Sequence, residues 1–173
     1  MRLLAKGLSI VVAMGAVGVL GATATEATPA GGGWEPTSTP PFVNPAGTVC
    51  AFEIKGDIVY DKEFQRVADR FPDGSARVEE FVGALGIRFT NTATGRSAVR
   101  DASGMLRITH HEDGGYEAEF IGNGATAIKT SNPSFPAGDY IVSGYHVLTV
   151  HPDRSREFTV QQGKIENMCS TLA

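Results

Sequence analysis

Hydrophobic and polar residues alternate through most of the chain after Cys50. Phe52, Ile54, Gly56, Ile58 and Tyr60 share one side, with Glu53, Lys55 and Asp57 on the other. That period of two predicts a half-buried strand. The segment from Asp61 to Phe71 is ambiguous, because Phe64, Val67, Ala68 and Phe71 also fall at helical spacing. Its short length and the hairpin-type turn Pro72-Asp73-Gly74-Ser75 favour strand. Glu79, Phe81, Gly83, Leu85, Ile87 and Phe89 then share a face, with bends expected at Gly83 and Gly86.

The same reading continues to the C-terminus. A polar strand from Arg96 to Asp101 follows the turn Thr92-Ala93-Thr94-Gly95, and a break falls at Ser103-Gly104. Leu106, Ile108 and His110 form one face of a hairpin strand, closed by Glu112-Asp113-Gly114-Gly115, and Tyr116, Ala118 and Phe120 form the buried face of its partner. A break is expected at Gly122-Asn123-Gly124, and one long loop runs from Thr130 to Asp139. Val142, Gly144, His146, Leu148 and Val150 share the next face, and the apolar phase of the last strand slips, placing a bulge at Gln162-Gly163.

Connections of only a few residues favour a meander of about eight antiparallel strands over long crossings. Closed or nearly closed into a barrel, such a meander loses its open edges; a two-sheet sandwich is the alternative. The chain's two cysteines, Cys50 and Cys169, fall at the outer ends of the first and last strands, where one disulfide would join them. The barrel and the disulfide thus support each other, and residues 47–173 form a single clamped β domain.

What precedes the domain differs in composition. Residues 1–24 carry Arg2 and Lys6, an apolar run from Leu8 to Leu20, and the small-residue site Ala22-Thr23-Ala24, the pattern of a secretory signal peptide cut after Ala24, or after Ala27 as second choice. The run is short of the ~20 residues that span a bilayer. The mature chain is therefore expected outside the cell, where disulfides persist, with no membrane span. Residues 25–46 are rich in Pro, Gly and Thr without apolar period and read as a disordered linker. Trp34 within it reads as incidental, the alternative being a hydrophobic anchor laid against the domain or a partner.

Charge narrows the partners. The formal net charge is −4, and loss of Arg2 and Lys6 takes it to −6. No basic patch stands against that, which excludes nucleic acid or an anionic membrane surface as the expected partner.

Candidate chemistry is sparse. His110 and His146 project from apolar faces and would point into a barrel, and with Tyr116 they are the inward polar candidates. The cluster His110-His111-Glu112-Asp113 has the composition of a weak ion-binding loop but the position of a solvated hairpin tip. A metal site needs three or four convergent ligands, and neither HExxH nor a close His-x-His spacing is present. Glu117 and Glu119 alternate outward, no GxSxG occurs, and both cysteines are committed to the disulfide. No catalytic residue, metal or cofactor is expected.

The opening Cys50-Ala51-Phe52, the turn Thr90-Asn91-Thr92-Ala93-Thr94-Gly95 and the ending Cys169-Ser170-Thr171-Leu172-Ala173, behind a signal peptide and linker, resemble the many small secreted β-barrel-like proteins of actinobacteria. The resemblance implies export and a disulfide-clamped β domain and brings no activity with it. The expected function is a non-catalytic binding or interaction module for a small apolar ligand, or for an extracellular protein or glycan. The alternatives are a small secreted isomerase or cyclase using His146 and Tyr116 as an acid–base pair inside the barrel, or a structural protein of the cell envelope.

Overall fold

Alternation becomes strand in the computed structural model, which describes residues 33–173. The expected signal peptide, both of its cleavage sites and residues 25–32 of the expected linker lie outside the described residues. In chain order the elements are β1 (Glu35–Thr37), β2 (Phe42–Asn44), β3 (Ile54–Arg70), β4 (Ala76–Asn91), β5 (Ser97–Asp101), β6 (Gly104–His110), β7 (Tyr116–Ile128), β8 (Gly138–Val150), β9 (Arg156–Asn167) and the short α1 (Met168–Thr171). All strand pairs are antiparallel, in the order β1-β3-β4-β6-β7-β8-β9, with β2 also on β3 and β5 also on β4.

The all-β antiparallel meander is as expected, with nine strands rather than about eight among the described residues. Among the described residues the backbone ladder is not closed: β9 pairs only with β8, and β3 pairs with β1, β2 and β4. Asp61–Phe71 is strand as far as Arg70, and it continues β3 without interruption because Phe64 and Gln65 pair with Val82 and Phe81. A register shift between Ile58 and Tyr60 turns Tyr60 outward, where its ring covers Gly86. Gly86 is thus a cradle for Tyr60 rather than a bend.

Two other expectations are corrected. Gly122-Asn123-Gly124 lies inside β7, since β8 pairs with it throughout. The bulge of β9 falls at Thr159, opposite the step from Val147 to Leu148, while Gln162 and Gly163 pair in register with Tyr145 and Gly144.

The expected disorder of the linker is also corrected from residue 33 onward, because its side chains find partners that composition does not reveal. Thr39 donates through its backbone N–H to Asp61 (2.8 Å) and through its hydroxyl to Glu63 (2.6 Å). The Phe42 ring occupies the space above Gly56 and meets Phe89 edge-on at 6.0 Å. Trp34 lies over the Arg66 guanidinium, 4.6 Å from ring centre, so it is an anchor after all.

Register exposes a feature that spacing alone hides. Gly83, Gly104, Gly122, Gly144 and Gly163 are successive cross-strand partners, a glycine row through five strands. Gly122 and Gly144 hold φ of 92° and 116°, and a Cβ on Gly144 or Gly163 would run into the backbone of the neighbouring strand. The pleat breaks along this line, which lets the sheet curl over itself.

Curling produces two cores. Ile54, Leu85, Ile87, Phe89, Ile141, Met168 and Leu172 join β3, β4, the start of β8 and the α1 end, whereas Phe120, Ile128, Val142, Leu148, Val150 and Phe158 join β7, β8 and β9. Ile141 and Val142 are neighbours pointing to opposite faces, yet each is buried in a different core. The first half of β8 is therefore covered on both sides.

The two ends of the ladder are tied by side chains and by the Cys50–Cys169 disulfide, with Cα atoms 5.3 Å apart. The cysteines stand just outside the strands, Cys50 before β3 and Cys169 in α1, whose first turn is capped by Asn167 accepting from Cys169 N–H (2.9 Å). Asn91 shapes the Thr90–Gly95 turn by accepting from Ala93 N–H and donates to the Leu172 carbonyl (3.0 Å). Arg100 of β5 forks onto Glu166 of β9 with two bonds of 2.7 Å.

On the outer face Arg66, Glu80, Arg107 and Glu119 are successive cross-strand partners of alternating charge. Glu80 is buried, and burial raises its pKa, but hydrogen bonds from Arg107 and Arg66 outweigh that and hold it below the usual carboxylate range. A lowered folded pKa contributes stability above the unfolded pKa that is lost as pH falls through the folded one. Glu80→Gln is expected to lose about 1–2 kcal/mol at pH 7, since both arginines are partly solvated, and to flatten the acid limb of stability against pH in urea titrations.

Candidate functional site

The curl leaves a hollow. A cavity of about 460 Å³ lies between β4 and β6 on one side and β7 on the other, under β2 and the segment before it. Its walls are mainly apolar, including Phe81, Leu85, Ile87, Phe89, Leu106, Ile108 and Phe120. Small residues on both sides, Gly83, Ala102 and Gly104 on one and Gly124, Ala125 and Ala127 on the other, leave it room. The size falls in the range of small-molecule pockets, about 300–1,000 Å³. Phe89 and Phe120 line it while also belonging to the two cores, whereas Phe52 and Val142 pack into the cores without reaching it.

The long loop between Thr130 and Asp139 does not cover this hollow: its Phe135 packs against Tyr140 and Phe158 at 5.6 and 5.2 Å, in the second core. The residues over the cavity are Thr39, Phe42 and Asn44, from the presumed linker.

Two carboxyl groups reach the cavity. Asp139 is 3% exposed and accepts from the Asn44 carboxamide at 3.1 and 3.4 Å, across 95 residues of sequence. Burial raises its pKa and the Asn44 bond opposes that. Glu63, beside the glycine row, is raised by burial and by the nearby Asp61 charge, against the lowering bond from Thr39. Tyr140 donates to the Pro136 carbonyl (2.9 Å) and accepts from Asn167 (3.3 Å), and burial raises its pKa.

None of the three inward polar candidates lines this cavity. His110 and Tyr116 do meet, as cross-strand partners with ring centres 5.8 Å apart, and His110 Nε2 sits 2.7 Å from Glu79. His146 is fully buried against Phe158, its Nε2 donates to the Ser143 carbonyl (3.2 Å), and its Nδ1 has no partner among the described residues. Tyr116 pairs with Val150, four residues along β8 from His146, roughly 13 Å away at strand rise. An acid–base pair of His146 and Tyr116 is not assembled. In the turn after His110, Asp113 accepts from Gly115 N–H (2.9 Å), and no group of three or more His, Cys, Asp or Glu able to hold a metal occurs among the described residues. Glu119 faces outward as expected, accepting from Tyr145 (2.9 Å).

Asp139 and Asn44 escaped sequence reasoning because each sits in a segment read as loop or linker. The only local hint was a carboxylate directly preceding the buried run from Tyr140 to Val142. A raised folded pKa contributes stability below the unfolded pKa that is lost as pH rises through the folded one. Asp139→Asn keeps the bond from Asn44 and removes the buried charge, so it is expected to raise stability at pH 8 by about 0.5–2 kcal/mol and leave it unchanged at pH 4. Urea unfolding at the two pH values checks this.

No protein-family model matches the chain, and searches of curated proteins and of solved structures give no match. No helix among the described residues is long and apolar enough to cross a membrane.

Proposed function

We propose that the protein is a secreted, non-catalytic binding domain that takes a small, mainly apolar molecule into the cavity beneath Phe42 and Asn44. The observation carrying this reading is the apolar cavity itself, of ligand size, with a few polar groups at its margin. The curled sheet, tied edge to edge by the disulfide, the Asn91 bond to Leu172 and the Arg100–Glu166 pair, acts as a nearly closed barrel around it. Export agrees with the disulfide and with the signal-like N-terminus. An enzymatic role for His146 and Tyr116 lacks the required proximity.

Native mass spectra of protein secreted by its host are expected to show a bound small molecule that refolded protein lacks. Ile108→Trp, which fills the cavity, is expected to abolish that mass difference and to weaken uptake of an apolar fluorescent dye at least ~10-fold. Unchanged dye binding in a folded Ile108→Trp variant would remove the cavity from the reading.

A protein partner on the outer face is the second reading. Phe64, Val82 and Ile121 stand exposed in one cross-strand row, bridged by Met105. A copurifying protein in the same spectra would favour it.

A further inference from the structure

Glu80 and Asp139 form a comparison within one molecule. Both carboxyl groups are almost completely buried, 2% and 3% exposed. Glu80 is held by two guanidinium groups, from Arg66 and Arg107, at 2.6 and 2.7 Å. Among the described residues Asp139 has one neutral donor, the Asn44 carboxamide, and no cation beside it. A buried carboxylate costs several kcal/mol unless it is paired, and one amide nitrogen satisfies only part of its acceptor capacity. Among the described residues the rest of the cavity supplies nothing cationic: its lining includes no Lys, Arg or His, and no basic partner stands beside its other carboxyl, Glu63.

An apolar chamber with two carboxyl groups and no cation selects against anionic ligands and leaves one kind of charge unprovided. Resting on the binding reading above, we propose that the ligand is a hydrophobic amine, with its ammonium group on Asp139 and its apolar body along the Phe81, Phe89 and Phe120 wall. Asn44 positions the carboxylate by holding it from the side of the covering segment. The ammonium supplies the donors that the protein withholds. The apolar walls supply the area term, so a short hydrophilic amine binds poorly.

Three probes of equal chain length separate the charge from the apolar contribution: n-octylamine, n-octanol and octanoate, titrated calorimetrically into the disulfide-bonded protein. Octylamine is expected to bind at least ~10-fold more tightly than octanol, with octanoate weakest. Asp139→Asn is expected to bring octylamine down to the affinity of octanol and to leave octanol within about twofold. Equal affinity of amine and alcohol for the unaltered protein overturns the proposal while sparing the cavity reading. An amine preference that survives in folded Asp139→Asn overturns the assignment to Asp139. Failure of all three probes to bind overturns both readings. The unaltered protein decides the charge question even if the variant does not fold.

Discussion

Replacing Cys50 and Cys169 together by alanine is expected to lower stability by about 4–5 kcal/mol, the loop-closure entropy of a bridge across a separation of 119 residues. The expectation is at the high end because β9 forms no backbone ladder with β3 among the described residues. β9 pairs with β8 alone, so the unbridged chain relies on Asn91, Arg100 and the packing of Met168 and Leu172 to bring the ladder ends together. In thermal unfolding the loss corresponds to a fall on the order of 10–20 °C, and reduction of the unaltered protein is expected to match the double variant. A shift below ~3 °C would show that α1 and the ion pair close the fold without the bond. The cavity predicts a second consequence. Its cover, Thr39, Phe42 and Asn44, lies in the segment that leads into Cys50, so dye uptake is expected to fall before secondary structure does as reductant is added.

Gly144→Ala is expected to destabilise by at least ~3 kcal/mol, combining the cost of an L-residue at positive φ with overpacking. Gly144 holds φ of 116°, and its new Cβ would meet the Gln162 carbonyl and stand 3.1 Å from Gly163 Cα. Those obstacles are backbone, which cannot rotate away as a side chain does. Gly74 is the control: its φ is 88°, but a Cβ there meets nothing within 4 Å, so Gly74→Ala is expected to cost only ~1 kcal/mol. Urea unfolding of the two variants side by side separates conformational cost from collision. Equal losses would mean that the glycine row is free to flatten, and the account of the curl would fall with it.

The legible part of this protein is local. Alternation located β3, β4 and β6 to β9 because side chains of a strand change face at every residue, and that period survives any tertiary arrangement. It failed at Gly122-Asn123-Gly124, which reads as a turn but is carried through β7 by thirteen consecutive pairs with β8. It failed in the presumed linker for a related reason. Thr39, Phe42 and Asn44 have no periodic neighbours, and their order comes from Asp61, Glu63, Gly56 and Asp139.

The glycines show the boundary between the two kinds of information. Gly83 is visible in sequence as a possible bend, and Gly144 only as one member of an apolar face. That they share a row with Gly104, Gly122 and Gly163 depends on four strand registers, each fixed by which side chains the neighbouring strand buries. The histidines mark the same boundary from the other side. His110 and His146 lie on apolar faces as read, but one ends against Glu79 and the other against Ser143 and Phe158, and the cavity forms elsewhere.

By itself the sequence determined an all-β meander, most of its strands, and a pair of cysteines bracketing the domain, since alternation and residue type are properties of the chain. Only the tertiary structure decided that the ladder stays open, that the glycines align into the line along which it curls, and that Asp139 comes to rest beside Asn44 at the margin of an apolar cavity. Those outcomes join residues tens of positions apart, and burial, register and unpaired charge exist only once the strands have met.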